Sequence, residues 1–401
     1  MREMKDSGVR WIGEIPTKWT IAKAKNCVEI QNGSDPKTEG SIPVYGSGSM
    51  SFKTCGEYKE GPSVLIGRKG ATLHIPHYIS SKFWNVDTAF NVYSKSIFDL
   101  KYYFYCAHVF DYTFYMSQTT LPSMTQTAYE NMFLPLPTKE EQYAIANQLD
   151  QICSKIDAVL EKTRASIEEY KKLKQTVITQ VVTKGVRGDR PMKDSGSVWF
   201  EEIPCNWVMK RIKYLFHIKK DIAGKEGYTV LSITQRGIQP KDLSKNEGQI
   251  AANYSQYQLL APGDFAMNHM DLLTGWVDIS KYSGVTSPDY RVFVLDDAEK
   301  NDSSYYLYLM QMCYFNRIFY GLGQGVSGMG RWRLQADNFL NFPVVVPPVD
   351  EQKEIVSYLN EKCKQLDTLI RNKQQYLTEI ENYKKSLIYE YVTGKKEVHP
   401  L

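Results

Sequence analysis

The seven cysteines, at 27, 55, 106, 153, 205, 313 and 363, contain no C-x-x-C pair and are odd in number. That indicates neither a disulfide framework nor a zinc ribbon, and it fits a reducing, cytoplasmic setting. Long apolar runs are lacking too. No stretch approaches the roughly 18 uninterrupted apolar residues of a membrane helix, and the N-terminus, MREMKDSGVRWIGEIP, has no apolar signal core. A cytoplasmic chain with no membrane association is expected. Charge of one sign is scarce: the net charge is +4, which permits nucleic-acid binding without demanding it. Aromatics are plentiful, with 28 Tyr, 16 Phe and 7 Trp, and they suit both cores and wet recognition surfaces. The 401 residues, 42% hydrophobic, can bury more than one core.

The chain repeats itself. Residues 4–25, MKDSGVRWIGEIPTKWTIAKAK, return at 192–213 as MKDSGSVWFEEIPCNWVMKRIK, with 11 of 22 positions identical. The echo continues in order: YYFY at 102–105 and YYLY at 305–308, then EEQ at 140–142 and DEQ at 350–352. The offset grows from 188 to 203 to 210, so the second copy carries insertions in its variable part. A period near 200 is too long for a solenoid and indicates domain duplication.

Each copy has two parts. The first mixes short apolar runs with turn residues, and SVLIG (63–67), AFNVY (89–93), TVLSI (229–233) and RVFVL (291–295) are predicted strands. Helical stretches near 99–116 and 303–320 follow. The second part has heptad spacing: 145, 149, 152, 156, 159, 163, 167, 170, 177 and 181 in one copy, and 355, 359, 366, 369, 377, 380, 383, 387 and 391 in the other, interrupted by Lys362 and Lys373. Thr138 with Glu141 has capping-box spacing, Asp350 is placed as the second N-cap, and Gly185 and Gly394 mark the C-terminal ends. A helix of about 44 residues spans roughly 65 Å, too long for the inside of one domain. The economical arrangement packs two such helices antiparallel, seam against seam.

The order of local words resembles the specificity subunits of type I restriction-modification systems over essentially the whole chain. They are WIGEIP (11–16) and its echo, IPVYGSG (42–48), IGRKG (66–70), FWNVDTAF (83–90), VTSPDYRVF (285–293), LPLPTKEEQYAI (134–145) and VVVPPVDEQKEI (344–355). The resemblance implies an α+β chain: two pseudo-repeated mixed α/β target-recognition domains separated by two long antiparallel coiled-coil helices. The expected boundaries are 1–137 and 191–348 for the domains, and 138–190 and 349–401 for the helices, the last with a C-terminal tail. It further implies a split double-stranded DNA target, two docked adenine methyltransferase subunits, and restriction/translocase subunits. S-adenosylmethionine, ATP and magnesium would belong to those partners, so no cofactor is expected here.

Catalytic motifs are incomplete. The chain lacks both the G-x-S-x-G nucleophile elbow and the [DN]-P-P-[YF] tetrapeptide. FYGLG (319–323) and the glycines at 323, 325 and 328 follow a predicted helix, so a loop reading is preferred to a cofactor loop. His74 and His77 have no further ligand nearby and are read as loop residues. Cys153 and Cys363 are read as buried seam residues, and the paired tryptophans as core residues or interface anchors. Base reading needs side chains that reach base edges, with Lys and Arg on phosphates. Arg68 and Lys69, between glycines, are candidates whose charges a tight turn would push outward; Lys53 and Lys59 are weaker candidates. In the second half the candidates are Arg236, Lys241, Gln324, Arg331 and Arg333. A rival reading is a coiled-coil scaffold spacing two protein-binding domains, which composition and periodicity alone allow.

Overall fold

A computed structural model describes residues 2–117, 122–243, 251, 253–325 and 332–398. The chain divides into two compact units, Met1–Ala165 with Lys373–Leu401, and Ser166–Asn372. The first unit holds an antiparallel sheet of β1 (Val28–Asn32), β2 (Ser63–Gly67), β3 (His77–Ile79) and β4 (Ala89–Ser94), in the order β1-β4-β2-β3. The second holds β5 (Phe216–Lys219), β6 (Phe265–Met267), β7 (Val277–Ile279) and β8 (Arg291–Leu295), in the order β5-β8-β6-β7. Sequence duplication is therefore duplication of topology. β2 is buried at every position, as an apolar run without alternation requires of a strand covered on both faces. TVLSI is shifted: the strand there is Leu231–Thr234, paired as a hairpin with Gly237–Pro240.

Four helices matter for function: α1 (Leu100–Ala107), α2 (Lys139–Lys184), α3 (Ser303–Phe315) and α4 (Val349–Val392). The Asp99 carboxylate accepts from the Tyr102 amide at the start of α1, and Asp302 accepts from Ser304 and Tyr305 at the start of α3. The repeated words turn out to be clamps. Trp19 Nε1 donates to Glu141 at 3.1 Å, and Trp207 Nε1 donates to Glu351 at 2.9 Å. Gln142 bridges the Pro137 carbonyl and the Asp99 amide; Gln352 does the same for Pro347 and Asp302. In the first unit the Tyr102 hydroxyl donates to the Val392 carbonyl, ending α4; in the second, Tyr305 donates to Val182, near the end of α2. Each unit thus grips the start of one long helix and the end of the other.

Thr138 and Glu141 form the reciprocal capping box, and Gly185 and Gly394 take left-handed backbone at φ 78° and 74°. Asp350, expected as a cap, instead lies in the first turn of α4, where its carboxylate meets Arg187 at 3.3 Å. The seam also differs from the expected register. Val159, Leu369 and Tyr383 are exposed, and the buried or half-buried row runs through Leu160, Ile370 and Lys384 instead. Lys384 reaches Asp157 at 2.6 Å in the first unit, and Lys174 reaches Asp367 at 2.7 Å in the second. The first unit also pairs Arg164 with Glu381, and the second pairs Arg187 with Glu354. Numbers rise along α2 as they fall along α4, so within each unit the helices run antiparallel.

Candidate nucleic-acid interface

In the first unit three loops meet at one end of the central sheet. The β2–β3 connection opens with Arg68 and Lys69, whose amides both donate to the Thr88 carbonyl, at 2.7 and 3.3 Å. Gly70, at φ 111°, turns the chain, and its amide donates to Pro122. The Arg68 carbonyl accepts from Met124, and Lys69 is bridged to Ser123, so Pro122 to Met124 lie against this loop. The third loop, after strand Ile42–Tyr45, arrives through Ser47, whose hydroxyl is 3.2 Å from that of Thr72. Lys69 is exposed as expected, but Arg68 is half-buried over the Phe90 ring, with Nη1 on the Asp87 carbonyl. Lys53 is exposed at the foot of the third loop, 5.6 Å from the Phe52 ring centre.

The second unit builds the same junction with different side chains. The β6–β7 connection contains His269, whose carbonyl accepts from Leu334 at 2.9 Å, as Arg68 accepts from Met124. Gln324 and Arg333 pair through both backbone bonds, at 2.9 and 3.0 Å, matching the Ser117–Ser123 pairing. Gln235, in the turn of the Leu231–Pro240 hairpin, donates to the Thr274 carbonyl at 3.3 Å, which places exposed Arg236 at the same corner. Arg333 is exposed and its Nε donates to the Met270 sulfur at 2.7 Å. Burial, aided by Arg291 and Arg333, holds the His269 ring down at about 4, so it is neutral near pH 7. Its Nδ1 is buried without a hydrogen-bond partner.

The structure therefore gathers Lys53, Arg68 and Lys69 at one junction and Arg236, Gln324 and Arg333 at the other. Lys241 is not gathered: it follows the far end of the hairpin, its amide on the Val230 carbonyl. Arg331 lies outside the described residues. Lys59 has a different occupation, donating to Asn32, Asn85 and Asn91 at 2.6 to 3.1 Å, and burial pushes it down to about 8. Gly323 serves packing, because a Cβ there would sit 2.4 Å from the Trp332 ring. Gly328 is also outside the described residues. Cys153 and Cys363 are buried, and burial pushes both thiols up. Trp19 and Trp207 are core residues. Among the described residues no group of three metal-type ligands occurs, and no helix is long and apolar enough to cross a membrane.

Sequence reasoning passed over Met50, Phe52, His269, Leu273 and Trp332, all in these loops. Aligning the loops of the two copies with each other, rather than their repeated words, is the signal that finds them.

A family model, the type I restriction modification DNA specificity domain, matches residues 16–169 and 204–382. The type I restriction enzyme MjaVIII specificity subunit of Methanocaldococcus jannaschii is 24% identical over 329 residues, 77% of this chain and 72% of that protein. A solved chain from the complex assembly and conformational transition of the type I R-M system superposes with a TM-score of 0.68 at 13% identity, covering 95% of this chain and 99% of its own.

Proposed function

We propose that this chain, which belongs to the family of type I restriction-modification DNA specificity domains, reads a bipartite double-stranded DNA site, one half-site at each three-loop junction. Membership makes it a recognition chain, without catalysis of its own. Adenine methyltransferase subunits, two per chain, and restriction/translocase subunits would carry out the chemistry at the site it selects. The observation that carries this reading is the pair of equivalent junctions, each presenting exposed cations, in two units that share a topology. Lys and Arg suit phosphates and guanine edges, and Gln suits adenine. The proposed boundaries are 1–137 and 191–348 for the readers and 138–190 and 349–401 for the spacer helices. α2 and α4 each contribute to both units, and we read them as the element that sets the gap between half-sites.

Methylome sequencing of a host carrying the complete system tests this. Deleting the gene abolishes one split motif. Arg68→Ala with Lys69→Ala degrades only one half of that motif, and Gln324→Ala with Arg333→Ala only the other. Loss of specificity in both halves from either pair would refute the assignment of one half-site per junction.

A further inference from the structure

Resting on the DNA-reading function above, we propose that Phe52 and Met50 form an apolar wedge that enters a groove of the first unit's half-site and loosens the stacking of one base step. Met50 is 82% and Phe52 60% exposed. Leaving such side chains in water forgoes the stabilisation that burial would give. The loop that carries them is anchored. The Phe52 amide donates to the Val44 carbonyl at 3.2 Å, Lys53 pairs with Val44, and Ser47 meets Thr72. Gly46 is packed so tightly that a Cβ would stand 2.9 Å from the Thr88 hydroxyl. At Gly48, in contrast, a Cβ would meet nothing within 4 Å, so the tip of the loop stands open.

The surroundings select the occupant. Lys53 stands beside the Phe52 ring, and Ser47 joins the loop to the connection bearing Arg68 and Lys69. An apolar tip bordered by cations is complementary to a duplex: phosphates meet the charges, and the wedge meets the bases. Of the nearby carboxylates, Glu57 is engaged by the Thr38 hydroxyl and by the Lys37 and Thr38 amides. Asp87 is exposed beside Arg68 and suits the amino group of cytosine. The equivalent turn of the second unit carries Gln235 and Arg236, a polar tip. The turn that carries the wedge in the first unit is thus polar in the second, and the wedge is assigned to the first half-site.

The test uses the assembled complex and its own target, defined by methylome sequencing, with 2-aminopurine placed in turn at each position of both half-sites. Apart from the target adenines, which a methyltransferase unstacks in either half-site, wild-type complex brightens the probe at a step in the half-site read by the first unit. Met50→Ala with Phe52→Ala abolishes that signal and weakens target binding about tenfold, while the salt dependence is unchanged because no charge is removed. Thermal unfolding of this variant matches wild type, since both side chains are exposed. Unaltered fluorescence and affinity in the double variant would overturn the wedge while leaving the recognition function intact. So would intact DNA binding coupled to lost assembly with partner subunits, which would assign the patch to a protein. Failure of the wild-type complex to prefer any split site would overturn the recognition function itself, a distinguishable result.

Discussion

Arg333 presents an exposed guanidinium held to the Met270 sulfur, a weak acceptor that a phosphate or guanine edge easily replaces. Beside it His269 is neutral, with one ring nitrogen to donate and one to accept. Arg331→Ala with Arg333→Ala is expected to weaken DNA binding and to reduce the log–log salt slope by about 0.9 for each phosphate left without its cation. Gel-shift titration of the assembled complex over a range of salt measures both quantities. Unchanged affinity and slope would remove these residues from the interface. Lys59 shows why cation type alone misleads at this scale. It looks like Lys53 in sequence, yet its ammonium is spent on three amide-type oxygens inside the first unit.

At the scale of elements, the start of α4 depends on Glu351, which is buried and takes hydrogen bonds from Arg190, Asn206 and Trp207. Burial alone would raise its carboxyl, but those three donors outweigh it and hold the group below its ordinary range. A depressed carboxyl contributes stability that is complete above the unfolded value near 4.3 and is lost as pH falls through the folded value. Glu351→Ala should therefore cost about 3 kcal/mol at neutral pH, and the difference from wild type should shrink below about pH 4. Urea unfolding across that range reads both effects, and a constant gap down to pH 2 would contradict the linkage. Glu351 was legible as part of the repeated EEQ/DEQ word, and the capping box, terminal glycines and heptads were legible from spacing. The seam went wrong where Val159 adjoins Leu160 and Leu369 adjoins Ile370. Two apolar neighbours satisfy the same spacing, and only the partner helix chooses between them. The junctions were illegible for a different reason. Loops near 47, 70 and 122 meet through tertiary hydrogen bonds that leave no local pattern.

At the scale of the whole molecule, the duplication extends to individual ion pairs: Asp157 with Lys384 and Lys174 with Asp367 exchange partners under the same offset of 210 residues. One half of each helix thus uses a seam lysine, and the other half supplies the aspartate that fixes its register. If α2 and α4 set the interval between half-sites, lengthening both by whole heptads must lengthen the interval without touching either reader. Adding one heptad after Ala165 and one after Asn372 preserves the apolar seam and extends each helix by about 10.5 Å. Since a DNA turn of 10–10.5 base pairs spans about 34–36 Å, the unspecified gap in the methylated motif should grow by up to about three base pairs. Both specified halves should persist. Inserting the heptad in one helix only displaces the Lys–Asp pairs and the seam, and methylation should fall rather than shift. Methylome sequencing distinguishes these outcomes, and a double insertion that leaves the gap unchanged would show that something other than the paired helices measures the distance.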